Sequence, residues 1–404
     1  MARFAVGLVL LGVLLVPSGC RRAERPAVEP DSTATAETTT TSKPPSEVAE
    51  PSDLASLAAV EWPLFRGGAA ARGVAGGKLP SRPKLLWTFA LERGGFEATA
   101  VVQGGVVYIG ATDGDFRAIG LDDGKPRWTF PTEPGFTAPA AVREGRVYVG
   151  DVDGRFHSLD AADGKELWHF DTDGEISGGP NFDGDRVLVG SQDGNLYCLD
   201  ATTGERVWTY ESKDQIRCFP TIAEGHALVA GCDGQLHVVV LASAAKTRSV
   251  PLHSPTGSTA AVLGDRAFVG TEAGRFFAVD WRTGVVAWEY QPPDKIRSMR
   301  SSAAVATDAL FVGTRDGRLH AIAIDSGKPL WEFRAGGQID GSPVLVGPWV
   351  VVGSDDGSLY IVHRTSGKEI WRYDTGGAIS ASPAVAEGRL VVGTEDGDLL
   401  CFGD

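Results

Sequence analysis

Three histidines, His157, His237 and His320, occupy one position of a pattern that recurs along the chain, and three imidazoles could hold a transition metal. A single ion needs all its ligands within about 2 to 2.6 Å. These three belong to separate, non-adjacent copies of the pattern, where other copies carry Tyr197 and Tyr360. No metal site is therefore expected, and each is read as a semi-exposed strand residue. The acidic stretches Asp171-Thr172-Asp173-Gly174-Glu175 and Asn181-Phe182-Asp183-Gly184-Asp185 look like calcium loops. Neither has the twelve-residue ligand spacing of a helix-loop-helix site, and turn chemistry explains both. Cys218 and Cys232 fall almost opposite each other in one expected hairpin. They are candidates for a disulfide in an oxidising compartment, if the register puts both on one face. Cys198 and Cys401 share a position in distant copies and are expected to be unpaired, buried thiols. Ser177-Gly178-Gly179 leads into a strand rather than a strand-to-helix elbow. No nucleophile, phosphate loop or paired carboxylates emerge, so no catalytic residue and no cofactor is assigned.

The surroundings of these residues narrow the function further. The chain has 404 residues and a formal charge of −14, with no long basic run, which argues against nucleic acid as a partner. Hydrophobic residues make up 43%, enough for a large core, and 52 glycines call for many tight turns. Arg3, the apolar run Phe4–Val16 and Pro17-Ser18-Gly19 before Cys20 read as a secretory signal, too short to span a bilayer comfortably. The junction resembles a bacterial lipobox, although Pro17 stands where Leu is usual. The resemblance implies a signal peptide over 1–19, lipidation of Cys20 and, with Arg21 following, the outer membrane facing the periplasm. Residues 20–60 are rich in Ala, Glu, Pro, Ser and Thr without apolar periodicity, and read as a flexible tether.

From residue 61 to 404 the chain repeats itself. Trp recurs at 87, 128, 168, 208, 288, 331 and 371, with one beat missing near Val250. In step with it runs a short apolar strand ending in Gly, then two residues, then Asp-Gly, as at Gly190/Asp193-Gly194. Six clear copies and two degenerate ones, at Ala230 and Gly270, make eight, at about 43 residues each. Every copy reads as four short strands with tight Gly turns, the third followed in copies such as Asp200–Gly204 by an Asp-x-x-x-Gly stretch and then the Trp strand. The last copy stops after its third strand. Leu85–Ala90 precedes the first full copy and can supply the missing fourth strand. The expected fold is all-β, an eight-bladed β-propeller with four-stranded blades, closed by pairing of this N-terminal Trp strand with the C-terminal blade. One Trp per blade at fixed phase reads as packing between neighbouring blades.

The stretch Val187 to Trp208 resembles the PQQ-like β-propeller repeat, and Glu61-Trp62-Pro63-Leu64-Phe65-Arg66-Gly67 resembles the lead-in that precedes such propellers. A repeat of this kind on a lipoprotein tether is similar to the BamB family of outer-membrane assembly scaffolds. Quinoprotein dehydrogenases share the repeat, but the adjacent Cys-Cys pair and calcium ligands that resemblance would imply are missing here. Counting back from each Gly marker gives a ring at one rim of the channel: Glu97, Thr137, Ser177, Arg217, Gly257, Arg300, Asp340 and Ser380. The sixth copy carries extra residues here, and an insertion at a rim often makes a binding loop. The family resemblance implies an Arg contact to an acidic partner. Arg217, Arg297 and Arg300, with apolar Ile216, Phe219 and Met299, are the expected contact patch. The expected protein is a monomeric, lipid-anchored, non-catalytic scaffold or binding propeller for a protein partner, in outer-membrane β-barrel assembly. The alternatives are a quinone-binding periplasmic oxidoreductase-like protein and a generic peptide- or glycan-binding propeller.

Overall fold

A computed structural model describes residues 61–292 and 298–404. Cys20, the tether and Arg297 lie outside the described residues. Thirty-three short strands form eight sheets, seven of four strands and one of five. The second blade shows the pattern. Ala141–Arg143, Arg146–Gly150, Arg155–Asp160 and Glu166–Asp171 run antiparallel, in the order they occur in the chain. Inner strands of neighbouring blades touch, the first blade on the last among them. The expected eight-bladed propeller is the fold.

Closure follows the expected pairing. Lys84–Ala90 pairs antiparallel with Asp398–Gly403, placing Trp87 opposite Cys401. The last blade is thereby completed from the chain's N-terminal side, which leaves no half-built sheet edge in the ring.

The Trp positions are seams. The Trp128 indole donates to the Ala161 carbonyl of the next blade at 2.9 Å, Trp168 to Ala201 at 3.2 Å and Trp208 to Leu241 at 3.0 Å. The Trp128 and Trp168 rings each lie on a glycine of that next blade, Gly164 and Gly204, whereas Ala244 occupies the matching position of the blade after Trp208. A Cβ on Gly164, whose φ is +75°, would come within 2.5 Å of the Trp128 ring, so close approach and backbone angle both require Gly. The missing beat falls on Arg248, which pairs with Val238 as Trp208 pairs with Cys198. Across that seam the partner position is Trp281, buried and donating to the Gly264 carbonyl at 3.0 Å. The aromatic ring has changed sides of the seam.

The inner strands are shorter than the hydrophobic pattern suggests. In the last copy only Ala384–Ala386 forms the inner strand, four residues beyond the ring position Ser380. The Ser382 amide is directed sideways to the Thr99 hydroxyl of the next blade, at 3.1 Å, instead of into its own ladder.

The lead-in winds around the channel inside the ring of inner strands. The carbonyls of Trp62, Pro63, Ala69, Ala70, Arg72 and Gly73 accept the amides of Val102, Val142, Ile222, Val262, Val305 and Leu345 in six blades. In the third blade the Asn181 amide side chain takes the Ala69 carbonyl at 2.9 Å. Val74–Ala75 then adds a parallel fifth strand to the seventh blade. One chain segment thus satisfies the exposed inner edges of seven sheets.

Candidate functional site

All eight predicted ring residues, from Glu97 to Ser380, line one cavity of about 170 Å³ in the channel. In each of the six blades tied by a backbone amide, the ring residue lies five positions before that amide, as Arg217 lies before Ile222. The ring is therefore the mouth and the lead-in the floor, with Phe65 reaching up to line the cavity.

Two residues after each ring position runs a second circle: Thr99, Pro139, Gly179, Phe219, Thr259, Ser302, Ser342 and Ser382. From Phe219 onwards each amide donates to the hydroxyl of the next blade. Phe219 reaches Thr259 at 3.2 Å, Thr259 reaches Ser302 at 2.9 Å, and Ser302 reaches Ser342 at 2.9 Å. Ser342 reaches Ser382 at 2.9 Å, and Ser382 closes on Thr99. The belt stops where Pro139, Gly179 and Phe219 carry no hydroxyl. There Phe65 meets Phe219 edge to face, with ring centroids 5.9 Å apart. The sequence reading missed this belt, although Ser or Thr at fixed phase in five of eight copies was a visible signal.

The mouth is charged unevenly. Arg217 is exposed and bonds the Gln215 side chain at 2.5 and 2.9 Å, with no carboxylate partner among the described residues. Arg300 is exposed but paired with Glu272 at 2.8 Å, and Glu272 also takes the Ser298 hydroxyl. Arg315 forks onto Asp340 at 2.5 and 2.8 Å. Glu97, Asp355 and Glu395 make no ion pair among the described residues, although the Arg315 charge partly offsets the repulsion on Asp355. Burial, then Asp340 and Glu395, push the Asp355 carboxyl up to about 6. Burial, then Glu395 and Glu175, raise Glu97 above the usual carboxylate range.

The structure corrects the apolar half of the expected patch. Ile216, Phe219 and Met299 are buried, at 0%, 1% and 0% exposure. A Cβ on Gly190 would lie 2.4 Å from Ile216, and one on Gly270 would lie 3.0 Å from Met299. The residue before the ring position thus seats on the Gly marker of the preceding blade, as Phe136 does on Gly110. Of the expected patch, Arg217 and Arg300 stand at the mouth and Arg297 lies outside the described residues.

The four described cysteines are all free. Extending the pairing of Thr221 with Leu228 puts Cys218 opposite Gly231 and Cys232 opposite Arg217, so the two cysteines are one residue out of register. The Cys218 thiol instead donates to the Ala230 carbonyl at 3.0 Å. Cys198 and Cys401 are buried thiols as expected, both raised to about 12 by burial.

The histidines lie in three separate blades, but they are buried, not semi-exposed. His237 sits between Asp233 at 2.9 Å and Ser249 at 2.9 Å. His157 lies between Glu166 at 2.7 Å and Asp151 at 3.1 Å. An aromatic side chain of the preceding blade packs on each, Phe130 on His157 and Tyr210 on His237. The position is a seam contact that Tyr197 and Tyr360 fill with the same bond to an Asp, at 2.7 and 2.6 Å.

The comparisons agree on architecture. The sequence profile of the family described as "Outer membrane protein assembly factor BamB" matches residues 82–176, 153–302, 220–334, 294–360 and 315–403. The crystal structure of BamB from Moraxella catarrhalis superposes with a TM-score of 0.67 at 21% identity, covering 80% of this chain and 98% of that one. Quinohemoprotein alcohol dehydrogenase from Comamonas testosteroni gives 0.71 at 17% identity, covering 85% and 81%. A europium-containing methanol dehydrogenase gives 0.73 at 14% identity, covering 87% and 99%. At these identities the solved structures are similar in fold alone. No curated protein matches the chain. The channel does not fit a planar quinone. Its two aromatic side chains, Phe65 and Phe219, pack on each other rather than across a slot, and the belt hydroxyls already accept amides.

Proposed function

This chain belongs to the family described as outer membrane protein assembly factor BamB, and on that premise we propose that it is a non-catalytic scaffold in outer-membrane β-barrel assembly. In this reading it is lipid-anchored through Cys20, faces the periplasm and docks a protein partner on its channel mouth. The observation that carries the proposal is Arg217, exposed at the mouth with only a neutral partner. Its charge is free to meet a carboxylate of the partner, and Arg is a favoured interface anchor. Arg300 contributes less, because Glu272 already neutralises it.

The partner needs both signs of charge. Glu97, Asp355 and Glu395 repel one another across neighbouring blades, and a basic group placed among them would relieve that repulsion. The proposed docking segment therefore offers an acidic side chain to Arg217 and a basic one to the carboxylate arc. The test is affinity capture of the tagged, lipidated protein from native envelopes, read by mass spectrometry. Recovery of a β-barrel assembly protein supports the scaffold. Its absence from the captured set, with other envelope proteins recovered, favours a generic binding propeller.

A further inference from the structure

The floor of the channel holds a charge without a partner. Arg66 is 1% exposed, and its Nε, Nη1 and Nη2 atoms all lack a hydrogen-bond acceptor. A Cβ on Gly73 would lie 1.8 Å from an Arg66 terminal nitrogen, so the guanidinium packs against that glycine. The indole nitrogen of Trp62, one turn of chain earlier, is also buried without a partner. Every orphaned side-chain atom of the lead-in is thus a donor. Burial pulls the Arg66 guanidinium down to about 9, the direction expected of a cation denied both water and a counter-charge.

The lead-in backbone adds more donors. The carbonyls of Ala69 and Gly73 are turned outward to the fourth and seventh blades. In a planar trans peptide the following N–H points the opposite way, so the amides of Ala70 and Val74 face inward. Arg66, Gly67, Ala71 and Gly73 have positive φ, at 63°, 80°, 53° and 66°. The amides of Gly67, Ala71 and Gly73 donate to the carbonyls of Leu64, Gly68 and Arg66, so the inward amides offered to a ligand are those of Ala70 and Val74. A cavity of about 160 Å³ is lined by residues 66–72 and Val74, apart from the mouth and from the partner-docking reading.

We propose that this cavity is a site for a small monovalent anion, held by the Arg66 guanidinium and the inward amides of the lead-in. An acceptor-only ligand matches a donor-only site, and a buried cation is tolerated when it is paired and hydrogen-bonded. The anion would lock the segment that ties seven inner strands together.

The test uses the full chain and bromide as probe. Sodium gluconate is replaced by sodium bromide at constant ionic strength while thermal unfolding is followed. The unfolding midpoint is expected to rise with the logarithm of bromide once its dissociation constant is passed, by about 4 °C at a hundredfold excess. Arg66→Met should abolish the rise, and Arg66→Lys should move its onset to about tenfold higher bromide. If Arg66→Met fails to fold, anomalous scattering from bromide in crystals of the native protein reads the site directly, with a peak expected within hydrogen-bond distance of Arg66. No rise in the native protein, an equal rise in a folded Arg66→Met, or bromide absent from the cavity in those crystals would overturn the proposal.

Discussion

The two arcs of the channel mouth are built differently. From the fifth blade round to the first, hydroxyls at Thr259, Ser302, Ser342, Ser382 and Thr99 tie each blade to its neighbour, and the two rim arginines there pair with Glu272 and Asp340. From the second blade to the fourth the belt is missing. Phe65 and Phe219 pack in its place, and Arg217 stands at the rim without a carboxylate partner among the described residues. The same repeat has paired its rim arginines with carboxylates in one arc and left one with only a neutral partner in the other. Docking is therefore expected to concentrate on the belt-free arc.

The largest consequence is at Arg217. Arg217→Glu should lower partner capture by more than about tenfold, whereas Arg300→Glu should lower it only about threefold, because removing Arg300 also frees Glu272. Equal losses from the two would erase the difference between the arcs. Next comes the aromatic substitute for the belt. Phe219→Ala should destabilise the propeller by about 3–5 kcal/mol, read by urea unfolding, since a buried ring would leave a cavity against Phe65. Ser342→Ala removes one belt acceptor and should cost about 1 kcal/mol in the same assay. A loss as large as that of Phe219→Ala would mean that the belt, not packing, carries the mouth.

The smallest effect is a pH slope. In the folded protein Asp355 titrates near 6, above its ordinary 3.8, so the folded state binds its proton more tightly. Its contribution to stability is fully present below the unfolded value and is lost as pH rises through about 6. Asp355→Asn should flatten the fall in stability between those values. An unchanged slope would show that the carboxylate arc is relaxed by solvent.

The repeat, its closure and the eight rim positions were legible because they recur at fixed phase. Lys84–Ala90 pairs where the truncated last copy demanded, and one cavity collects every counted rim residue. Ile216 and Met299 were misread because they sit in irregular chain beside an exposed arginine. There strand alternation fails, and burial depends on a glycine one blade away. The winding of residues 62–75 left no trace in periodicity, since it is held by backbone carbonyls that any side chain permits. The move of an indole from position 248 to 281 keeps the seam but breaks the beat, and only the pairing register shows the two as partners.

The most direct test places a photo-cross-linking residue at Ser177, on the mouth beside the belt-free arc, and for contrast at exposed Lys368, in a turn at the opposite ends of the strands. Irradiated in native envelopes, Ser177 is predicted to capture a β-barrel assembly protein, Lys368 not to, and Arg217→Glu to abolish the capture. Capture from Lys368 alone, or from Ser177 undiminished by Arg217→Glu, would contradict docking at this mouth.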